Sequence, residues 1–174
     1  MKDPLPQPAD ASEEDFLRLD RQICFSLNAA SRAFGSVYRV LLKDLGLTYP
    51  QYLVMLVLWE HREVSVKALS AHLRLDSGTL SPLLKRLEAA GLVRRERSAH
   101  DERSVQVHLT DQGAHLRERA LRVPRRIAAA TGFDAAEAAE LRARLDRLTR
   151  ALDDAVAEET ALLDGAEGSR PAVG

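Results

Sequence analysis

Two parts of the sequence carry side chains that could do chemistry. Cys24 is the only cysteine among the 174 residues, and its thiolate would be a nucleophile toward peroxides or disulfides. A lone cysteine in a helical segment is otherwise a small apolar residue of the core. Residues 76–86, "DSGTLSPLLKR", combine small and hydroxyl-bearing side chains with two cations, which are the types that contact phosphates and base edges. The sequence therefore offers a candidate redox thiol and a candidate polyanion-binding segment.

The charged residues are distributed unevenly, although the formal net charge is only -1. Residues 61–126 hold fourteen basic and eight acidic side chains, residues 1–20 hold two and six, and residues 134–167 hold four and ten. A basic middle between acidic ends favours a polyanion as the partner of the middle segment, and a solvated charged surface is the alternative.

The rest of the composition argues against metal, secreted and membrane proteins. One cysteine cannot form an intrachain disulfide, and no histidine or cysteine cluster has metal-ligand spacing, so neither a metal nor another cofactor is expected. The longest apolar run, residues 52–59, is too short to span a bilayer, and the chain does not open on a signal sequence. A reduced, cytoplasmic protein without membrane contact is predicted.

Apolar spacing and capping residues predict a mainly helical chain. Apolar side chains spaced by threes and fours predict one long amphipathic helix over residues 15–43. Gly91 stops the fourth helix, Pro82 is tolerated in its first turns, and Pro124 kinks or ends the fifth. The capping residues of the later helices are, in chain order, Thr48, Ser65, Asp76 or Ser77, Thr110 and Asp134.

A basic hairpin follows the fourth helix. "LVRRER" and "SVQVHL" flank "SAHDER", and Val105, Val107 and Leu109 alternate with polar residues, which predicts a two-stranded hairpin with a charged tip. A short helix, a turn, a helix opened by hydroxyl residues and a basic hairpin make the layout of a winged helix-turn-helix. The predicted fold is therefore mainly α with a small β-hairpin wing and long N- and C-terminal helices.

One domain is predicted, with tails at both ends. The apolar stripes of its first and last helices exceed what a small winged helix can cover, so we expect them to pack against a second copy of the chain. The predicted boundaries are 1–14 for a mobile tail, 15–163 for the domain, 15–47 and 111–163 for its dimerisation helices, 48–110 for the winged helix-turn-helix, and 164–174 for a frayed tail.

Candidate DNA contacts lie on the fourth helix and on the hairpin. Short side chains let the helix terminus approach a phosphate, and cations one to two turns later reach the backbone or a guanine. Capping explains Ser77 as well, but explains Thr79 and Ser81 less well, since neither is at the cap. An arginine at the hairpin tip can enter a minor groove while Asp101 holds it, and a solvated turn is the alternative. The candidates are Ser77, Gly78, Thr79, Ser81, Lys85 and Arg86 on the helix, and Arg94, Arg95, Arg97 and Arg103 on the hairpin.

Three stretches together resemble a known family. "QICFSLNAASRAFGSVYR", "LTYPQYLVMLVLWEH" and "LDSGTLSPLLKRLEAAGLVRRERSAHDERSVQVHLTDQG" are similar to the organic hydroperoxide resistance regulators, a branch of the MarR (multiple antibiotic resistance regulator) transcription factors. The likeness covers residues 19–120. It implies a homodimeric repressor that binds a palindromic operator on double-stranded DNA when reduced. It further implies that oxidation by an organic hydroperoxide releases the DNA and derepresses a peroxide-detoxifying gene.

The resemblance also implies residue roles. Cys24 would be the reactive thiol, and Tyr38 and Tyr49 the residues that hydrogen-bond it. Asn28 stands where some relatives have a further tyrosine. The implied DNA contacts are Ser77, Gly78, Thr79, Ser81, Pro82, Lys85 and Arg86 on the recognition helix, and Arg95, Asp101 and Arg103 on the wing.

Helix geometry supports a site shared between two chains. Cys24 and Tyr38 are fourteen residues apart, so on one helix they lie about 21 Å apart, at roughly 1.5 Å per residue. They cannot touch within one subunit. If two copies of the first helix cross antiparallel, Tyr38 of one chain comes beside Cys24 of the other, and Tyr49 could follow.

Phenol donors would stabilise the thiolate, which attacks the peroxide bond to give a sulfenic acid. Since the chain has no second cysteine, the next product is a mixed disulfide with a low-molecular-weight thiol, a sulfenamide, or an over-oxidised acid.

Two other functions are consistent with parts of the sequence. One is a MarR-type repressor that responds to a small aromatic ligand, with Cys24 structural. The other is a thiol peroxidase, but the chain lacks a resolving cysteine and the Thr or Arg partners of a peroxidatic thiol. We therefore expect a regulator and not an enzyme.

Overall fold

The computed structural model of the protein describes residues 16–97 and 104–167. The chain divides into two compact units, one running to Ile127 and the other beginning at Ala128. The sequence predicts a single domain over residues 15–163. The helices are α1 (Ile23–Leu41), α2 (Tyr49–His61), α3 (Val66–Leu73), α4 (Ser77–Ala89), α5 (Asp111–Ala120), α6 (Arg122–Thr131) and α7 (Ala135–Glu167), and the strands are β1 (Glu63–Ser65), β2 (Val93–Arg97) and β3 (Val105–Leu109).

The first long helix begins later than its apolar spacing predicts. α1 starts at Ile23, after a short 3-10 turn over Leu19–Arg21, so the predicted start at residue 15 is wrong. Gln22 has extended backbone angles, and its side-chain amide donates to the carbonyl oxygens of Phe16 (2.5 Å) and Arg18 (3.2 Å). These local bonds compete with the helix and set its first residue.

The predicted caps of the later helices are confirmed. Short polar side chains accept hydrogen bonds from the orphan N–H groups of each first turn, as expected for such residues. In α2 the Gln51 carboxamide also accepts from the Thr48 N–H (2.9 Å), which completes a capping box. The acceptors are Thr48 for α2, Ser65 for α3, Asp76 for α4, Thr110 for α5 and Asp134 for α7.

The sheet has three antiparallel strands in the order β1-β3-β2. Val64 of β1 pairs with Val107, and Arg95 of β2 pairs with Val107 on the other side. The sheet therefore has one strand more than the predicted two-stranded hairpin. The sequence does not reveal β1, because its three residues are too few to show an alternation of apolar and polar side chains. The predicted hairpin tip, residues 98–103, lies outside the described residues.

The core of the first unit lies between α2, α3, α4 and the inner face of the sheet. Burying each large apolar side chain there contributes roughly 1.5–3 kcal/mol. The largest side chains with almost no exposed surface are Leu42, Met55, Leu58, Leu69, Leu80, Leu84 and Leu87.

α1 packs on this core only at its C-terminal end. Val37, Tyr38 and Leu41 contact the core. Nearer the N-terminus, Ile23 is 65% exposed and Phe34 is 41% exposed. Most of the apolar face of α1 is therefore uncovered in one chain.

The last helix is long and forms most of the second unit. α7 has 33 residues, which makes it about 50 Å long at roughly 1.5 Å per residue. Leu145 and Leu148 are half-buried, whereas Leu152 and Val156 are exposed. The helix continues to Glu167, beyond residue 164 where the sequence predicts a frayed tail. In the described part of the chain, no helix is both long and apolar enough to cross a membrane.

Candidate nucleic-acid interface and redox site

α4 has one buried and one exposed face. Its four leucines, at positions 80, 83, 84 and 87, are buried, and their spacing by threes and fours fixes the helix against the core. The other face points to solvent and holds every predicted contact of the helix. These exposed residues are Ser77, Gly78, Thr79, Ser81, Pro82, Lys85 and Arg86.

The N-terminus of α4 is held by Asp76 and Thr79. The Thr79 N–H donates to Asp76 Oδ1 (2.9 Å), and the Thr79 hydroxyl donates to Asp76 Oδ2 (2.8 Å). These two bonds, the hydroxyl bond first, hold the pKa of the Asp76 carboxyl below its usual value. Thr79 is thus part of the cap, which corrects the expectation that capping explains it poorly. A Cβ at Gly78 would lie 3.0 Å from Asp76 Oδ1, so glycine leaves room for the cap.

A groove of about 490 Å³ lies between α3, α4 and the sheet. It brings Ser77 and Ser81 of α4 together with Lys67 and Ser104, which are not among the predicted contacts. Lys67 is an exposed cation in the first turn of α3, and Ser104 immediately precedes β3. The position of Lys67 two residues after the Ser65 cap is the sequence signal that places this cation near the start of α3. The polar lining residues are Lys67, Ser70, Ser77, Ser81, Arg95 and Ser104.

Arg95 is joined to α4 by its side chain and its backbone. Its Nε and Nη2 donate to Glu88 Oε2 (2.9 and 2.6 Å), and its N–H donates to Glu88 Oε1 (3.0 Å). The Arg95 side-chain bond is the main reason that the pKa of the Glu88 carboxyl is lowered. The structure therefore joins β2 to α4 through Arg95.

The outer face of the sheet carries a charged network. Arg94 pairs with Glu96 on β2, and His108 of the central strand lies 3.4 Å from the Glu96 carboxylate and 3.5 Å from the Glu63 carboxylate. Arg97 is exposed. The predicted wing contacts Asp101 and Arg103 lie outside the described residues.

The two tyrosines of the predicted redox site lie together, away from the cysteine of the same chain. Cys24 is exposed on the first turn of α1, as is Asn28 one turn later. The ring centroids of Tyr38 and Tyr49 are 4.3 Å apart. Cys24 and Tyr38 are fourteen residues apart on one continuous helix, which separates them by about 21 Å.

The environment of Tyr38 keeps its phenol protonated. Burial, with smaller effects from Tyr49 and Tyr52, raises the pKa of Tyr38 to about 12. A phenol with an ordinary pKa of about 10 is already protonated at neutral pH, and burial keeps that of Tyr38 protonated to higher pH.

A run of aromatic contacts leads from the tyrosines to the base of the wing. Tyr52 lies 5.9 Å from Tyr38 and 6.1 Å from Trp59, measured between ring centroids. The Trp59 Nε1–H donates to the Gly113 carbonyl oxygen (2.8 Å). A Cβ at Gly113 would lie 2.2 Å from the Leu92 carbonyl oxygen, so α5 touches the chain just before β2. The end of α1 is thus connected to the wing by direct contacts.

Among the described residues, no group of three or more His, Cys, Asp or Glu side chains could hold a metal ion. The features that stand out are the exposed face of α4, the groove beside it, and the small sheet that follows. A helix-turn-helix with such a face and such a sheet defines a winged helix DNA-binding protein.

Comparisons with known proteins identify the family. Residues 36–119 match the family model described as transcriptional regulator SarA/Rot. The organic hydroperoxide resistance transcriptional regulator of Bacillus subtilis (strain 168) is 51% identical over 110 residues, which is 63% of this chain and 75% of the relative. The HTH-type transcriptional regulator TtmR of Methylorubrum extorquens (strain PA1) is 48% identical over 146 residues, which is 84% of this chain and 73% of the relative.

A solved structure gives the same result. Reduced AbfR bound to DNA, a protein of Staphylococcus epidermidis, superposes with a TM-score of 0.71 at 35% identity, covering 83% of this chain and 99% of AbfR. The chain belongs to the MarR family of DNA-binding transcriptional regulators, as a member similar to the organic hydroperoxide resistance regulators. The relatives are named as regulators, which confirms the prediction that the chain is not an enzyme.

Proposed function

We propose that the protein is a homodimeric repressor that releases its operator when an organic hydroperoxide oxidises Cys24. The observation that carries the proposal is the pairing of Tyr38 with Tyr49 at one end of α1, while Cys24 is exposed at the other end. Two such helices crossing antiparallel would place each thiol beside the tyrosine pair of the other chain.

The DNA-binding part of the proposal rests on α4. Its exposed hydroxyl groups and the cations Lys85 and Arg86 share one face, which suits insertion into a major groove. Lys67 borders the protein groove between α3, α4 and the sheet and adds a cation for the phosphate backbone of the DNA. Asp101 and Arg103 remain proposed wing contacts. Two copies related by a two-fold axis would read a palindromic operator, each half by one winged helix.

The exposed apolar face of α1 supports the dimer. Ile23 and Phe34 share one face of α1 and are 65% and 41% exposed, and large apolar side chains that share a helix face are usually covered. A second copy of α1 would cover them and would bring the partner's tyrosine pair to the thiol.

The proposed chemistry is a two-electron oxidation of sulfur. The thiolate attacks one peroxide oxygen, an S–O bond forms, the O–O bond breaks, and the alkoxide leaves as the alcohol after taking up a proton. The sulfenic acid then becomes a mixed disulfide with a low-molecular-weight thiol, a sulfenamide or an over-oxidised acid. Each product changes the size or charge of the group that faces the tyrosines.

Loss of the tyrosine contacts would be transmitted to the DNA-binding surface. Tyr38 contacts Tyr52, Tyr52 contacts Trp59, and Trp59 is hydrogen-bonded to Gly113 beside the wing. A shift at the end of α1 would move the winged helices off the spacing of the operator, a two-state change that a few kcal/mol can drive. We place this regulator in the cytoplasm, where it would meet bacterial-type operators.

A cleft gives the alternative inducer a specific location. It has a volume of about 270 Å³ and lies between α2, α5 and the start of α6. Tyr52 and Trp59 offer aromatic surfaces, and Arg117 offers a cation for a carboxylate or phenolate. If a small aromatic ligand binds there, Cys24 is structural and the response does not require its oxidation.

Fluorescence anisotropy on DNA from upstream of the protein's own gene tests the proposal. We expect the reduced wild type to bind, and one equivalent of cumene hydroperoxide per thiol to release it. Cys24→Ser should bind equally well and stay bound, and Ser26→Ala, an exposed neighbour on α1, should respond like the wild type. Release of the Cys24→Ser variant by peroxide would refute the redox role. Release of both proteins by an aromatic acid would support the cleft instead.

A further inference from the structure

The wing is attached to the recognition helix through one carboxylate. β2 is an edge strand of the sheet, so alternate N–H groups along it point away from β3 and need another partner. The Arg95 N–H finds one in Glu88 Oε1 (3.0 Å), in the last turn of α4. One N–H of the edge strand is thus hydrogen-bonded to the helix.

The side chains repeat the connection. Strand alternation points Arg95 toward α4, because the neighbouring positions Arg94 and Glu96 are exposed on the opposite face. Its Nε and Nη2 both donate to Glu88 Oε2 (2.9 and 2.6 Å). Three hydrogen bonds converge on one carboxylate, and a guanidinium held by two of its nitrogens has a defined orientation. The pair is only about one-third exposed, which protects it from solvent screening better than a typical surface pair.

We propose that Glu88 is a positioning residue for DNA binding, which sets the angle between the recognition helix and the wing by holding Arg95. The inference rests on the proposed DNA-binding function. A winged helix contacts DNA with the helix and the wing at the same time. A fixed angle between them preorganises the DNA-binding surface and so lowers the entropic cost of binding. Glu88 contributes without touching the DNA.

The sign of the effect distinguishes this role from simple electrostatics. Glu88 is an anion beside a groove that we assign to a polyanion, so removing its charge should strengthen binding if charge alone matters. If Glu88 holds the wing, removing its charge should weaken binding. The two expectations are opposite, which makes the neutral variant decisive.

Glu96 offers a matched control. It is a carboxylate on the same strand, one residue beyond Arg95, but it pairs with Arg94 and His108 on the outer face of the sheet. Neutralising Glu96 removes the same charge near the same wing and leaves the connection to α4 intact.

The experiment measures operator affinity at several salt concentrations for the wild type, Glu88→Gln, Glu96→Gln and Arg95→Lys. We expect Glu88→Gln and Arg95→Lys to bind about tenfold more weakly, the effect of losing a charge-assisted hydrogen bond, with unchanged salt slopes. Glu96→Gln should bind as well as the wild type or better. The proposal is overturned if Glu88→Gln binds as tightly as the wild type.

Hydrogen exchange without DNA keeps the two proposals separate. Replacing Glu88 by Ala removes the acceptor of the Arg95 N–H, so the exchange of this amide should accelerate about tenfold or more, while Glu96→Gln leaves it unchanged. An unchanged exchange rate of the Arg95 amide in Glu88→Ala refutes the inference even if this variant binds the operator more weakly than the wild type. If the wild type binds no operator, the proposed function fails, and the positioning role in DNA binding fails with it, whatever the exchange shows.

Discussion

The proposed recognition helix α4 and the cysteine helix α1 differ in how much of their apolar surface is buried within one chain. On α4 the four leucines are buried and the candidate DNA contacts are exposed, so a single chain presents a finished surface. On α1 large apolar side chains such as Ile23 and Val40 remain 65% and 71% exposed. The DNA surface is built within one chain, whereas the proposed redox site needs two.

The polar groups of the two regions show the same difference. Asp76 and Thr79 already satisfy each other at the start of α4. Cys24 and Tyr38 stand at opposite ends of one helix, and Tyr38 is paired instead with Tyr49. A site whose members cannot meet in one chain is a natural place for a signal that must reach both halves of a dimer.

The largest effect is expected from removing the two cations of α4. Replacing both Lys85 and Arg86 by Ala should weaken operator binding about 100-fold and lower the salt slope by about two per subunit, because each phosphate contact contributes close to one. The rate of Cys24 oxidation should not change, since the thiol lies on α1.

Salt-dependent anisotropy and thiol titration measure the two quantities. Arg147→Ala with Arg150→Ala, two cations of the acidic helix α7, is the matched control and should leave binding within about twofold of the wild type. A slower oxidation of Cys24 in the Lys85 and Arg86 variant would break the separation between the two regions.

The next largest effect is expected on stability, at the close contact between Gly113 of α5 and the backbone before β2. Replacing Gly113 by Ala puts a Cβ 2.2 Å from the Leu92 carbonyl oxygen, and overpacking against backbone should cost about 2 kcal/mol of unfolding free energy. This exceeds the gain of roughly 0.5–1 kcal/mol that Gly→Ala gives in an open helix. Denaturant unfolding measures the change, with Glu118→Ala at an exposed position of α5 as control. A Gly113→Ala protein more stable than the wild type would contradict the packing described.

A smaller effect is expected at the tyrosine pair. Tyr38→Phe removes one phenol donor and should slow oxidation of Cys24 by cumene hydroperoxide about tenfold, the equivalent of one hydrogen bond to a charged group. Operator binding by the reduced protein should stay within about twofold. Tyr52→Phe keeps the aromatic contact with Tyr38 and should oxidise normally. Equal rates for the two variants would remove Tyr38 from the site.

The smallest effect concerns the pH dependence of the α4 cap. The pKa of Asp76 is lowered in the folded protein, so its carboxylate contributes stability above its unfolded pKa, and this contribution is lost as pH falls through the folded pKa. Asp76→Asn keeps a capping side chain without the titration. The melting temperature of the variant should therefore fall less than that of the wild type between pH 5 and pH 3, in roughly the range where carboxyl groups titrate. An identical fall in both proteins would assign the acid sensitivity to other carboxylates.

The two regions also differ in how well the sequence predicts them. The caps of α2 to α5 follow from short polar residues placed just before apolar runs, and these interactions are local. The leucine spacing of α4 predicts its exposed face correctly for the same reason. The sequence does not predict β1, because three residues carry no pattern. The pairing of Glu88 with Arg95 joins residues on different elements, which periodicity does not encode.

α1 shows the limit of periodicity most clearly. Its apolar spacing predicts a helix over residues 15–43, but Gln22 bonds the carbonyl oxygens of Phe16 and Arg18 and delays the start to Ile23. The spacing also predicts that one face of the helix is apolar, but it does not predict which residues cover that face. In one chain only the C-terminal end is covered, and the contact of Tyr38 with Tyr49 depends on how α1 meets α2.

Mixed dimers test the central claim, that the redox site is shared between two chains, most directly. A Cys24→Ser chain is combined with a chain carrying Tyr38→Phe and Tyr49→Phe, and the heterodimer is purified through two different tags. Its single thiol belongs to the chain without the two tyrosines, so it meets intact tyrosines only across the interface. We expect this thiol to react with cumene hydroperoxide at the wild-type rate. A rate as slow as that of the Tyr38→Phe, Tyr49→Phe homodimer would contradict the shared site.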